Sequence, residues 1–152
     1  MDDIRREYEI ALGRFLLSFN QLDDRLLRLI NLVFSSLDRT DLIKLKQSPT
    51  SGMRFSAKLY VIELLKCTTL GQRLSNISVA DLRALAKQRN ILAHAHMDRN
   101  PFDDSYRLIE RGDTSDYVFT ADNINALTAK SETLCASLKE AEAFYEFTNS
   151  GS

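Results

Sequence analysis

One amphipathic pattern runs through the first part of the chain and constrains its fold more than any other feature. Apolar residues recur every three or four positions between Asp3 and Leu37, which is the spacing of one face of an α-helix. These residues are Ile4, Tyr8, Leu12, Phe15, Leu16, Phe19, Leu22, Leu26, Ile30, Val33, Phe34 and Leu37. An unbroken helix of that length spans about 50 Å, more than the width of a compact domain of this size. We therefore expect a helix that either bends or extends beyond its own domain to meet a second copy of the chain.

Size and charge narrow the classes of function. With 152 residues and 44% hydrophobic content, the chain is predicted to form one domain over residues 1–152. Its 20 Lys and Arg residues oppose 21 Asp and Glu residues, so any RNA site must be a local basic patch. Apolar stretches fall short of the ~20 residues that a membrane span needs, and Met1 is followed by two aspartates rather than a basic leader. These features predict a cytoplasmic protein that does not contact a membrane.

Turn signals divide the next part of the chain. A short helix is predicted over Asp41–Gln47, followed by a turn at Ser48–Gly52, where proline and glycine both favour turn geometry. A further helix is predicted over Arg54–Cys67. Lys58 in this helix is expected to snorkel, keeping its ammonium group in water while its stem covers apolar surface.

A third long helix is predicted to begin near residue 79. Ser78 and Asp81 form a variant of the capping box, in which both side chains satisfy free backbone amides at a helix start. The helical pattern continues to Asn100, where Pro101 cannot extend it.

Strand formers then replace the helical pattern for a short distance. Tyr106–Ile109 and Tyr117–Thr120 are rich in residues that favour strands, and the turn-prone segment Arg111–Ser115 separates them. A small β-hairpin packed against helices is predicted here. Thr120 also suits the N-cap of a final helix that carries apolar residues as far as Tyr145. The predicted fold class is therefore all-α, with one small hairpin before the last helix.

The segment Arg89–His94 carries the most suggestive chemistry in the chain. A guanidinium group can hold a phosphate bidentately, and an imidazole can exchange a proton near neutral pH. Asn90 and His94 share one helix face, whereas Arg89 is about 140° away from His94 and must reach around the helix. The alternative interpretation is that Arg and His simply interact with the dipole at a helix end.

This segment and its surroundings resemble the HEPN family. The spacing of Arg89, four residues and His94 resembles the family signature, Phe19–Asp23 is similar to its first-helix pattern, and Lys58 is similar to a recurrent feature of its second helix. Members are all-helical, usually dimeric, and often metal-independent ribonucleases of toxin–antitoxin or phage-defence systems. The resemblance implies an antiparallel bundle of four to five helices and a two-fold dimer that brings two copies of the motif to one cleft.

The resemblance suggests specific roles for the motif residues. Our hypothesis assigns proton transfer or hydroxyl activation to His94, phosphate binding to Arg89, and orientation of His94 or of the backbone to Asn90.

Three further residues are predicted to support this site. His96 lies seven residues after Arg89, hence on the same side of a helix, and is either a helper or the functional histidine itself. Lys87 and Arg83, earlier on the same helix, are predicted as weak RNA contacts, although most such residues are solvated surface.

No cofactor or metal site is predicted. Cys67 and Cys135 both lie within apolar helical patterns, and the two histidines have no carboxylate at the spacing of known metal-binding helices. A metal site assembled across a dimer is the alternative that this spacing leaves open.

Two other classes of function stay open at this point. One is a non-catalytic HEPN-like module that binds RNA, a nucleotide or a partner protein. The other is a structural domain whose first helix forms a homodimer. If the protein is a toxin, the resemblance implies an antitoxin partner such as a minimal nucleotidyltransferase, and expression of the toxin alone is expected to slow growth.

Overall fold

Helices dominate the structure of the protein, which is a computed structural model. It describes residues 3–35, 52–94, 97–100, 102, 105–110 and 113–151. The helices are α1 (Asp3–Ser35), α2 (Phe55–Lys66), a 3-10 helix (Thr69–Leu74), α3 (Val79–His94) and α4 (Ala121–Ser150). The predicted all-α class is confirmed. No helix within these ranges combines the length and apolar character needed to cross a membrane. The predicted helix at Asp41–Gln47, most of the predicted turn at Ser48–Gly52, and His96 lie outside the described residues.

The apolar face of α1 forms the centre of the core. Phe15, Leu22, Leu26 and Ile30 are fully buried, as their helical spacing predicts, and α1 packs most extensively against α4. The other long helices contribute further buried residues, namely Leu59, Ile62, Leu82, Leu85, Ile124 and Leu138.

The first and last helices run in the same direction. Arg25 of α1 donates a hydrogen bond to Glu142 of α4. Further along both helices, the carbonyl oxygen of Leu32 in α1 accepts a hydrogen bond from Asn149 in α4, so residue numbers increase together in the two helices. The antiparallel arrangement that we expected is therefore wrong for this pair. The reason is that the chain returns through a sheet to the N-terminal part of α1, where the rings of Tyr8 and Tyr106 stack with centroids 3.7 Å apart. The last helix then starts at that end.

Helix α3 begins as predicted but ends earlier. The backbone N–H of Asp81 donates to Ser78 Oγ at 3.2 Å, which confirms the cap. Hydrogen bonds from Ser78 and then Lys130 lower the pKa of the Asp81 carboxyl.

The helix ends at His94 rather than at Asn100, because Met97–Arg99 forms a strand, β1. The pairing of β1 with a strand later in the chain supplies backbone hydrogen bonds that the local helical pattern does not reveal.

The sheet has three antiparallel strands in the order β1–β2–β3. The predicted hairpin is confirmed as β2 (Tyr106–Glu110) and β3 (Asp113–Phe119). Its turn is shorter than predicted, because Glu110 pairs with Asp113 and the strand therefore includes part of the segment expected to form the turn. Thr120 caps α4 as predicted, accepting a hydrogen bond from the backbone N–H of Asn123 at 3.2 Å.

Tyr8 places a hydroxyl in the core without a hydrogen-bond partner among the described residues. Burial, with a smaller contribution from Tyr106, raises the pKa of Tyr8 to about 12. Because the folded pKa exceeds the usual value near 10, this group's contribution to stability is complete below pH ~10 and is lost as the pH rises towards ~12. We expect Tyr8→Phe to be neutral or stabilising by up to about 1 kcal/mol at pH 7. Its melting temperature should also fall less steeply than that of the wild type between pH ~10 and ~12.

Candidate functional site

An open groove of about 1190 Å³ lies between α3 and the facing parts of α1 and α2. The predicted site residues of α3 all line it: Arg83, Lys87, Arg89, Asn90 and His94. The opposite side is formed by Phe19, Asn20 and Asp23 of α1 and by Arg54, Phe55, Ser56 and Leu59 at the start of α2.

Two different faces of α3 reach the groove. Lys87, Asn90 and His94 are spaced by three or four residues, so they lie along one stripe of the helix. Arg89 instead continues the line of Leu82, Leu85 and Leu92, the buried residues of α3. Its side chain therefore starts on the apolar face and is only partly exposed.

The guanidinium of Arg89 is held in place by two neighbours. Its Cζ lies 5.6 Å from the centroid of the Phe19 ring, within the range of a cation–π contact. Its Nη1 donates to Asn90 Oδ1 at 3.2 Å. Its Nε is buried and has no partner among the described residues. No carboxylate from the described ranges pairs with this cation, and because Nε is buried, an anion in the groove would have to meet the terminal nitrogens of the guanidinium.

His94 is the last residue of α3 and is exposed. It lines the same groove as Arg89, although the two positions differ by about 140° around the helix. Asn90 lies one turn before His94, yet the side-chain hydrogen bond of Asn90 joins it to Arg89. Among the described residues, the Asn90 side chain therefore contacts Arg89 rather than His94.

A part-buried ion pair joins α1 and α2 at the edge of the groove. Lys58 Nζ is 2.6 Å from Asp23 Oδ1, and the two side chains are 6% and 35% exposed. The expectation that Lys58 would snorkel is wrong: it shares the apolar face of α2 with Leu59 and Ile62, and Asp23 of α1 reaches it there. An ammonium on an apolar face needs such a partner, because an isolated buried charge is costly.

The groove is locally basic although the whole chain has a net charge of −1. Its lining has four Arg or Lys residues and one carboxylate, Asp23, whose charge faces Lys58. One of the four, Arg83, also forms an exposed ion pair with Glu63 at 3.1 Å. The lining thus provides the local patch that an RNA site would require.

Comparison of the chain with family models, with curated proteins and with solved structures finds no match in any of the three. Within the described ranges, no three His, Cys, Asp or Glu side chains are grouped closely enough to hold a metal ion. The groove and the motif that lines it are therefore the features that bear on function.

The residues that face α3 across the groove were not predicted as site residues, although Phe19–Asp23 was part of the family resemblance. Arg54 is the N-cap residue of α2, and nothing in its local sequence indicates that this helix start lies opposite the motif. Lys58 carried a usable signal, because a lysine in line with Phe55 and Leu59 on an apolar face must find a charge partner or reach water. The identity of that partner, Asp23, depends on how α1 and α2 pack.

Proposed function

We propose that the protein is a HEPN-like endoribonuclease that cleaves single-stranded RNA in this groove without a metal ion. The observation that carries the proposal is that Arg89, which has no carboxylate partner among the described residues, and His94 line one basic groove. These are the two side chains whose spacing resembles the family signature.

The chemistry needs only groups that these side chains provide. The 2′-hydroxyl of one nucleotide attacks the adjacent phosphorus, and the bond from phosphorus to the 5′-oxygen of the next nucleotide breaks. His94 takes the proton from the 2′-hydroxyl or gives one to the departing 5′-oxygen. Arg89 donates to the non-bridging oxygens as negative charge develops on them, and Asn90 keeps the guanidinium in position. The products are a 2′,3′-cyclic phosphate and a 5′-hydroxyl.

The open shape of the groove and the distribution of its cations favour a polymer over a single small molecule. The groove has a volume of about 1190 Å³. Arg83 and Lys87 continue the basic lining along α3 from Arg89. Cations distributed in this way bind successive phosphates, which gives affinity without sequence preference.

A two-fold dimer would complete the acid–base pair. One imidazole cannot accept and donate a proton in the same step, whereas two copies of His94 facing one cleft can act as base and acid. His94 is suitably exposed at the end of α3. The homodimer is thus part of the proposal, and specific activity is expected to rise with protein concentration as the dimer forms.

Cleavage of a labelled single-stranded RNA in the presence of EDTA tests the proposal. We expect cleavage to persist in EDTA and the 5′ fragments to end in 2′,3′-cyclic phosphate, because no step requires a metal ion. Sedimentation equilibrium over the same concentration range should show the dimer. RNA binding without cleavage would instead support the non-catalytic module, and cleavage that EDTA abolishes would contradict the mechanism.

A further inference from the structure

The two sides of the groove differ in chemistry. The α3 side carries Arg83, Lys87 and Arg89, whereas the opposite side presents the amide of Asn20 and the carboxylate of Asp23 on α1, with the Phe55 ring and one cation, Arg54, at the start of α2. A nucleotide lying across the groove would place its phosphate on α3 and its base towards α1. We infer that the α1 side is a nucleobase subsite that selects guanine in single-stranded RNA, an inference that rests on the proposed function.

Phe55 provides a surface on which a base can stack. Its ring is partly exposed, lines the groove, and lies with its centroid 4.8 Å from that of the buried Phe19 ring. The Phe19 ring in turn makes the cation–π contact with the guanidinium of Arg89. The Phe55 ring therefore packs against Phe19, which also contacts Arg89, the proposed phosphate-binding residue. Base stacking on aromatic side chains is a general means of holding single-stranded RNA.

Asp23 supplies acceptors at the same side of the groove. Its Oδ1 accepts a hydrogen bond from Lys58 at 2.6 Å, which fixes the carboxylate group, while 35% of the side chain stays exposed. The other oxygen, Oδ2, is available to N–H donors of a bound base. Asn20 lies one turn earlier on α1, so its amide can reach the neighbouring group on the same base edge.

Guanine is the base whose edge fits this pair of side chains. Its Watson–Crick edge presents two adjacent donors, N1–H and the N2 amino group, followed by the O6 acceptor. Asp23 can accept from the donors and Asn20 can donate to O6. Adenine and cytosine present one amino group beside an acceptor nitrogen, and uracil presents one N–H between two carbonyl oxygens. Only guanine therefore offers a carboxylate two adjacent donors, whereas each of the other three bases places an acceptor atom next to its donor.

Equilibrium binding to oligouridylates that contain one central guanosine, inosine or adenosine tests the subsite. The oligonucleotides carry 2′-O-methyl groups, so they cannot be cleaved, and binding is followed by fluorescence anisotropy. Because a good bidentate base contact discriminates by about 5- to 150-fold, we expect guanosine to bind at least about 5-fold more tightly than adenosine. Inosine lacks the N2 amino group and should lie between them.

Variants at Asp23 separate recognition from folding. Asp23→Asn should abolish the preference for guanosine, whereas Asp24→Asn, which removes the same charge from an exposed neighbour outside the groove, should keep it. Asp23→Asn leaves Lys58 buried without its partner, so the double variant with Lys58→Met removes both charges and keeps the shape of the core. Its melting temperature verifies that it folds, and it too should bind guanosine and adenosine equally.

Three results would overturn the inference, and they differ in what else they affect. Equal binding of guanosine and adenosine by the wild type would remove the subsite and leave the RNA groove intact. A retained preference in the folded double variant would show that another group reads the base. Absence of binding to every oligonucleotide would overturn the proposed function together with the subsite.

Discussion

Replacement of Arg89 with alanine is expected to slow RNA cleavage by about 10²- to 10³-fold, the usual loss when a donor to developing negative charge is removed. The guanidinium lines the groove, is held by Asn90 and Phe19, and has no carboxylate partner among the described residues. Arg89→Lys should recover little activity, because an ammonium group cannot offer two parallel donors to a phosphate. Initial cleavage rates on one labelled RNA measure the effect.

Replacement of His94 with alanine is expected to cost about 10²- to 10⁴-fold, the range for a general acid or base. His94 is exposed at the end of α3, so its loss should leave the fold intact. His96→Ala in the same assay shows whether His96 assists His94 or is itself the functional histidine. Lys139→Ala is the matched control, because it removes an exposed cation of α4 that does not line this groove.

These variants are informative only if they stay folded and dimeric. Sedimentation and melting temperature should therefore match the wild type in each case. Wild-type rates in both Arg89→Ala and His94→Ala would remove the two residues from the mechanism. Loss of cleavage with unchanged RNA affinity in His94→Ala, but weaker affinity in Arg89→Ala, would agree with proton transfer by one and phosphate binding by the other.

Features encoded within one helix could be predicted from the sequence. The buried face of α1 follows from its apolar period, and the start of α3 follows from Ser78 and Asp81. The charged and polar residues of α3 that line the groove could also be predicted, because they lie close together on one element.

Features that depend on contacts between distant segments could not be predicted. Helix α3 ends at His94 because Met97–Arg99 pairs with β2, which competes with a helical pattern that locally continues. The α1 side of the groove depends on Asp23 meeting Lys58, a contact between two helices that no local spacing specifies. The parallel direction of α1 and α4 likewise depends on where the sheet returns the chain.

Gly71→Ala is expected to destabilise the protein by about 3 kcal/mol or more, the upper end of the usual cost of overpacking. A Cβ at this position would lie 1.8 Å from the carbonyl oxygen of Leu65 and 2.7 Å from the backbone nitrogen of Lys66. That carbonyl cannot easily move, because the backbone N–H and the hydroxyl of Thr68 both donate to it, at 3.0 and 2.7 Å. The expected fall in melting temperature is about 6–12 °C for a domain of this size.

Gly13→Ala is the matched control and should have the opposite sign. Gly13 lies in the interior of α1, and a Cβ there would meet nothing within 4 Å. Alanine at an exposed helix interior is favoured over glycine by about 0.5–1 kcal/mol, so the melting temperature should rise by about 1–4 °C. A fall of similar size in both variants would contradict the close packing of the 3-10 helix on α2. Because that 3-10 helix joins α2 to α3, the same contact sets the separation of two groove walls, and Gly71→Ala should lower RNA cleavage even below its melting temperature.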